Sequence, residues 1–400
     1  MISLSRRALI GAAAGTVGTV LPAVSASAEP SGQSLHVPLP VPTGPHRIGA
    51  VALRLVDASR RDPWVESIPF RELMVSIWYP AMSRHGELAP YMQPAAAAHY
   101  DQGLAQQLPR YAAGVVDYAA TPTHARLRAP MLKRRGGHPV VLYSPGGGNA
   151  RTTGTVLAEQ LASHGYLVVT IDHTYESAEV EFPGGRLAVD RRPADSTREA
   201  SALVRVADTR FVLDALALID RGTRGAGLRG AFDLERVAMV GYSAGGYAAA
   251  ETMLVDPRVR AGCNLDGKLL ADDDPIILGR AALHGLDRPF LQIGTPGHDS
   301  TTDPSWTAMR ANARGWHREL CLQGSTHLGL NDLAVTIPFL AKVFGLSAQE
   351  VQYALGTIDP ARSVAVIRAY VTAFLDQHLR GAEQTLLDQP SPRFPEMVFV

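Results

Sequence analysis

The sequence predicts an α/β fold with a mostly parallel central sheet and helices on both faces, and three observations carry that prediction. After Gly137 apolar strand-like runs alternate with helical stretches, the pattern of a parallel sheet covered on both sides. One of those runs, Val237-Ala238-Met239-Val240, leads straight into Gly241-Tyr242-Ser243-Ala244-Gly245, the form of a strand that turns sharply into a helix. The chain has 400 residues, 46% hydrophobic and 19% charged, ordinary proportions for a globular protein with a large core.

Residues 1–28 read as an export signal. Ser5-Arg6-Arg7 is a short basic start, Ala8 to Val24 a weakly hydrophobic Ala/Gly/Val run, and Ala26-Ser27-Ala28 a small-residue cleavage site. The paired arginines look like a twin-arginine signal, which points to a secreted or extracytoplasmic bacterial protein. The signal carries two of the 38 basic side chains and none of the 38 acidic ones, so the remainder balances 36 against 38, a charge of −2. That near-neutral balance offers no basis for binding nucleic acid. No later run is long and apolar enough for stable membrane insertion.

The remainder, 29–400, reads as one catalytic domain with an N-terminal extension over about 36–136 and a C-terminal helix. Ile48 to Val56 and Leu73 to Tyr79 alternate like strands and predict an antiparallel edge pair. Residues 84–136 show helical patches and many turn residues but no clear period. Parallel strands are expected at Val140 to Tyr143, Leu167 to Ile171, Arg236 to Val240, Val259 to Leu265, Phe290 to Ile293 and Arg318 to Leu322. Helices are expected near 152–163, 197–220, 245–254, 304–313 and 361–379. For the second, Ser196-Thr197-Arg198-Glu199 reads as a capping box and Leu203, Ala207 and Phe211 as its apolar stripe. Cys263 and Cys321 fall on different strands with a third between them in sequence. At about 4.8 Å per strand their Cα atoms would stand near 10 Å apart, beyond disulfide reach, so two free buried thiols are expected.

The chemistry-bearing residues follow from the strand-to-helix turn. Ser243 is placed as a nucleophile, with Gly241, Gly245 and Gly246 supplying the space that a strained elbow needs. A serine hydroxyl needs a base and a group that orients the base. His327, in Gly324-Ser325-Thr326-His327, follows the last parallel strand and precedes a helix beginning near Asp332, which delivers it to the carboxyl edge of the sheet. Two acids compete, Asp266 immediately after its strand and Asp299 in the loop of the next. Topology leaves both open, and the turn glycine behind Asp266 favours it. Oxyanion donors are expected from the backbone of Ala244 and from the loop Ser144-Pro145-Gly146-Gly147-Gly148. Asp272-Asp273-Asp274 reads as a solvated turn rather than a metal cluster, and His173 as structural. The segment 268–286 is either a partial lid or an ordinary connection.

These residues resemble the plasma-type (isoform II) platelet-activating-factor acetylhydrolases and their bacterial secreted lipase and esterase relatives. Beyond the elbow, the likeness lies in Leu161-Ala162-Ser163-His164-Gly165-Tyr166-Leu167-Val168-Val169 with Asp172-His173 and Ser177-Ala178, in Gly262 to Gly267, and in Gly324 to His327. Pro42-Thr43-Gly44-Pro45 and Phe374-Leu375-Asp376-Gln377-His378-Leu379 extend it over roughly 40–399. The resemblance implies an α/β-hydrolase fold, no cofactor or metal, and a small-molecule ester or lipid substrate with transient lipid-interface contact. It assigns Ser243 as nucleophile, Asp266 as acid, His327 as base, and Gly147 with Ala244 as oxyanion donors. It implies cleavage of short-acyl esters or phospholipid sn-2 acyl groups. A broader lipase or polyester-degrading esterase is the alternative, and a binding protein on a hydrolase scaffold a more distant one. One departure stands out: the family often carries Ser-His-Gly where this chain has Ser144-Pro145-Gly146.

Overall fold

The computed structural model describes residues 34–223, 227–274 and 276–400, so the export signal read at 1–28 lies outside the described residues. In chain order the elements are strands β1 (Arg47–Asp57), β2 (Arg71–Ala81) and β3 (Leu88–Pro90), helix α1 (Pro94–Gln107), and strands β4 (Pro122–Leu127) and β5 (His138–Ser144). Helix α2 (Thr155–Ser163), strand β6 (Leu167–Asp172), the small hairpin β7 (Val180–Phe182) and β8 (Arg186–Ala188), and helix α3 (Arg198–Asp220) follow. Then come β9 (Phe232–Tyr242), α4 (Ala244–Val255), β10 (Val259–Leu265), α5 (Arg280–His284), β11 (Phe290–Gly294), α6 (Pro304–Asn312) and β12 (His317–Leu322). The chain closes with α7 (Leu333–Phe344), α8 (Ala348–Leu355), α9 (Pro360–Arg380) and β13 (Met397–Phe399).

Eleven strands form one sheet in the order β13-β12-β11-β10-β9-β5-β6-β2-β1-β4-β3. The six strands from β12 to β6 are mutually parallel, and every expected parallel strand is present. Alternation along them sends side chains to both faces. Val141, Tyr143, Ala238 and Val240 pack with α2 and α9 through Leu157, Leu161, Tyr370 and Phe374. Val140, Leu142, Val237 and Met239 pack on the other face with α3, α4 and α6 through Val212, Leu216, Met253 and Trp306. Each fully buried valine, leucine, phenylalanine or methionine among them contributes about 1.5–3 kcal/mol by leaving water.

Three expectations need correction. The β1/β2 pair is antiparallel over its whole length, but it is not an edge, because β4 pairs with β1 and β3 lies outside β4. Helix α3 is capped by Thr197, whose side chain accepts from the Ala200 N–H, rather than by Ser196. Its buried face is Ala202, Arg205, Val206, Thr209, Val212, Leu213 and Leu216, whereas Leu203 is 45% exposed. The apolar period at 203, 207 and 211 selected the wrong face because two charged residues, Arg205 and Asp208, sit on the inner one.

Cys263 on β10 and Cys321 on β12 are separated by β11 and are free and buried, as the strand spacing required. The region 84–136, the least readable in sequence, contains α1 among its helical patches. Ala97 and Leu104 of this helix and Leu108 at its C-terminal cap join Tyr91, Tyr111 and Tyr118 against Ile337 and Leu340 of α7 and Leu355 of α8. Asp273 of the acidic triplet pairs with Arg198, and Asp274 accepts from the Ile276 N–H. No described helix is long and apolar enough to cross a membrane.

Candidate active site

Ser243 stands at the junction of β9 and α4 with φ 54° and ψ −119°, a conformation that costs an L-residue of order 1–3 kcal/mol and persists only where its surroundings impose it. The surroundings here leave no room for side chains. A Cβ on Gly241 would lie 1.9 Å from the Gly245 carbonyl oxygen, and one on Gly245 would lie 1.9 Å from that of Ser144. Gly245→Ala is therefore expected to displace the elbow against the β5 loop, lowering both the unfolding midpoint and the turnover. Circular dichroism melting and ester assays on one preparation check this, and an unchanged melt would remove the steric argument. The Ser243 N–H donates to the Leu265 carbonyl at 2.8 Å, which fixes the turn to the end of β10.

Asp266 follows Leu265 directly and also has positive φ, at 58°. A Cβ on Gly267 would meet the Ser243 carbonyl oxygen at 2.2 Å, so the two strained turns pack against each other. The Asp266 carboxylate receives the Thr295 N–H at 3.1 Å and His298 Nδ1 at 2.8 Å on Oδ1, and His327 Nδ1 at 2.6 Å on Oδ2. Burial alone would raise its pKa, but the hydrogen bonds from His298 and His327 outweigh burial and hold the carboxyl below its ordinary range.

His327 leaves the end of β12 with its ring packed on that of Tyr242, centroids 4.8 Å apart, while the Tyr242 hydroxyl donates to the His327 carbonyl at 3.1 Å. The bond from Nδ1 to Asp266 places the proton there and leaves Nε2 as the acceptor. Ser243, Asp266 and His327 are thus gathered at the carboxyl ends of β9, β10 and β12. Asp299 is not part of the gathering: its carboxylate accepts from the Thr301 N–H at 2.8 Å and hydroxyl at 2.5 Å within its own turn.

Gly147 borders the other side of the elbow, where a Cβ on it would stand 3.7 Å from that of Ala244. Ala244 opens α4, a helix without a side-chain cap, so N–H groups and the positive end of the helix dipole converge there. The loop carrying Gly147 is held from behind by Arg205, a residue that sequence reading missed. Its guanidinium donates to the Pro145 carbonyl at 2.5 Å, the Gly146 carbonyl at 3.1 Å and Ser144 Oγ at 3.0 Å, and pairs with Glu176 at 2.7 Å. A trans peptide carries its C=O and N–H on opposite sides. With the Gly146 carbonyl drawn to Arg205, the Gly147 N–H faces away from it.

Behind Arg205 the network continues. Ser144 Oγ meets His173 Nε2 at 2.9 Å, His173 Nδ1 meets Asp208 at 3.0 Å, and Asp208 meets Arg71 at 2.7 Å. All of these side chains are buried. Burial, followed by the nearby Arg205, pushes the His173 pKa down, so the neutral ring donates from Nδ1 to Asp208 and accepts the Ser144 hydroxyl proton at Nε2. His173 is structural, as expected. Among the described residues, Arg205→Met would leave the buried Glu176 carboxylate with Arg192, 3.6 Å away, as its remaining ion-pair partner. It is expected to cost about 3–5 kcal/mol of stability, read by urea unfolding; a loss below about 1 kcal/mol would contradict the clamp.

A model of the platelet-activating factor acetylhydrolase, isoform II, family matches residues 31–184 and 188–388. The chain belongs to that family. It is 30% identical over 409 residues to a probable 1-alkyl-2-acetylglycerophosphocholine esterase of Arthroderma benhamiae, covering 96% of this chain and 99% of that protein. It is 22% identical over 285 residues to the platelet-activating factor acetylhydrolase of Cavia porcellus, covering 66% and 62%. Among solved structures, a ferulic acid esterase from Streptomyces cinnamoneus matches with a TM-score of 0.73 and 35% identity, covering 90% of this chain and 98% of that one. The fold is that of an α/β-hydrolase and the enzyme is a carboxylic ester hydrolase. In this esterase Pro145 contributes a carbonyl to the Arg205 clamp.

Proposed function

We propose that this esterase is an exported serine hydrolase that cleaves short-acyl esters, or the sn-2 acyl group of phospholipids, through an acyl-enzyme on Ser243. The observation that carries this reading is the strained Ser243 turn packed against Asp266, whose carboxylate binds His327 Nδ1 at 2.6 Å. In the proposed mechanism His327 Nε2 takes the Ser243 proton as Oγ attacks the ester carbonyl. The N–H groups of Gly147 and Ala244 hold the developing oxyanion, worth about 10²- to 10³-fold in rate per donor. His327 then protonates the leaving alkoxide, and the same base activates water to release the acid. Asp266 holds the ring tautomer and offsets the imidazolium charge. No step in this route calls for a metal or cofactor.

The preference for acetyl or similarly short groups is supported by the name of the Arthroderma relative, at 30% identity over nearly its whole length. A second reading, hydrolysis of hydroxycinnamoyl esters, is favoured by the Streptomyces ferulic acid esterase at 35% identity. Export is supported by Arg6-Arg7, the apolar run and Ala26-Ser27-Ala28. Initial rates of the mature chain on acetyl, butyryl, octanoyl and feruloyl esters, and on a phospholipid with an sn-2 acetyl group, test the substrate assignment. The proposal expects the highest kcat/KM on acetyl substrates. A maximum on feruloyl esters would give the second reading, and a maximum on octanoyl esters would overturn both.

A further inference from the structure

Asp266 is shared by two histidines, and the second has no place in the mechanism given above. His298 lies in the loop after β11, with Nδ1 2.8 Å from Asp266 Oδ1 and Nε2 3.5 Å from Asp303 Oδ2. Its ring packs on the buried Trp306, centroids 4.6 Å apart, and Trp306 Nε1 donates to the Gly267 carbonyl at 2.8 Å, next to Asp266 itself. Asp303 is tied down in turn, since it caps α6 through the N–H groups of Ser305 and Trp306. His298 is therefore wedged between a fixed helix start and the carboxylate.

We propose that His298 is a positioning residue for ester hydrolysis: its Nδ1–H occupies Oδ1 of Asp266 and so keeps Oδ2 aimed at Nδ1 of His327. The inference rests on the reading of Asp266 and His327 given under the proposed function. A carboxylate turns about χ2 in a broad, roughly two-fold well, so its direction is set by whatever donors surround it. On Oδ1 these are His298 and the Thr295 N–H; the Thr295 hydroxyl is 3.3 Å from Oδ1 and 3.2 Å from Oδ2, so it does not choose between them. His298 thus supplies the shorter of the two bonds that hold Oδ1.

Charge acts in the same direction. The groups facing His298 are the Asp266 and Asp303 carboxylates, with Lys268 Nζ 3.8 Å from Asp303 on the solvent side. Burial lowers the His298 pKa, but the hydrogen bond to Asp266 and the nearby Asp303 carboxylate outweigh that and push it up to about 9. At neutral pH the ring is then an imidazolium hydrogen-bonded to Asp266, with its charge set between two acids that would otherwise repel each other.

The test uses three variants of the mature enzyme, assayed on an aryl acetate with active sites counted by fluorophosphonate titration. H298L removes both donors. H298N places an amide donor near the position of Nδ1, toward Asp266, whereas H298Q places it near that of Nε2, toward Asp303. The expected result is a 10- to 100-fold fall in kcat per titrated site for H298L and H298Q, with KM within about twofold. H298N should recover most of that loss. Wild-type kcat per site in H298L or H298Q, or an equal loss in all three, would overturn the proposal and reduce His298 to a packing role.

If the variants do not fold, ¹⁵N-histidine NMR of the wild-type enzyme decides. The ring assigned to His298 by its proximity to Trp306 should show an Nδ1 proton hydrogen-bonded to a carboxylate at pH 7.5, and its absence would overturn the proposal. D266N is assayed alongside: wild-type activity in D266N would sink the underlying reading instead, which keeps the two failures apart.

Discussion

Replacing Ser243 with alanine is expected to lower kcat on short-acyl esters by about 10⁶-fold while the unfolding midpoint stays close to that of the wild type. In the proposed mechanism the hydroxyl forms the covalent bond, so removing it would leave only binding and the oxyanion donors to act on a water. The fold should tolerate the change because alanine keeps the Cβ of serine, and the contacts that set the turn are backbone ones. These are the Ser243 N–H to Leu265 and the Gly246 N–H to the Ser243 carbonyl, both at 2.8 Å. Stopped-flow and long-time-course assays of the purified variant, with a thermal melt, read both quantities. A kcat within tenfold of wild type would show that the chemistry occurs elsewhere.

The second large effect is expected at Asp266. Asp266→Asn should lower kcat by about 10⁴-fold, because an amide NH₂ facing His327 Nδ1 forces the ring proton onto Nε2, the nitrogen that must accept from Ser243. Geometry changes little, so KM should move far less than kcat. Asp299→Asn is expected to leave kcat near the wild-type value, since Asp299 serves the Thr301 turn. Parallel kcat and KM measurements on the two variants check the ranking, and the reverse order would move the acid to the loop after β11.

The parts of this architecture that were legible in sequence are those dictated by local sterics and period. Val237 to Val240 could be read as a buried strand because nothing else accommodates four consecutive apolar residues before a tight turn. Gly241 and Gly245 announced the turn because atoms within 2 Å of any Cβ exclude other residues there. The choice between Asp266 and Asp299 was not legible from topology, since both follow strands. What separates them is a set of donors, Thr295, His298 and His327, that come from two other strand ends.

Long-range packing explains what the sequence hid. Helix α1, with Pro94 and four alanines behind it, has too little apolar periodicity to be seen, and its stability comes from tyrosines and from α7 and α8, more than 200 residues away. Arg205 and Asp208 gave no signal in the sequence because charged side chains on a helix usually face solvent. Their burial becomes intelligible only when Glu176, Arg71, His173 and the loop carbonyls are placed around them. The same reason hid His298, whose meaning depends on Asp266, Asp303 and Trp306 arriving together.

Labelling the mature chain with a fluorophosphonate and mapping the adduct by tandem mass spectrometry tests the mechanism most directly. One adduct is expected, on Ser243, formed in step with the loss of esterase activity and absent from Ser243→Ala. An adduct on a different residue, or full inactivation without any adduct on Ser243, would contradict the account.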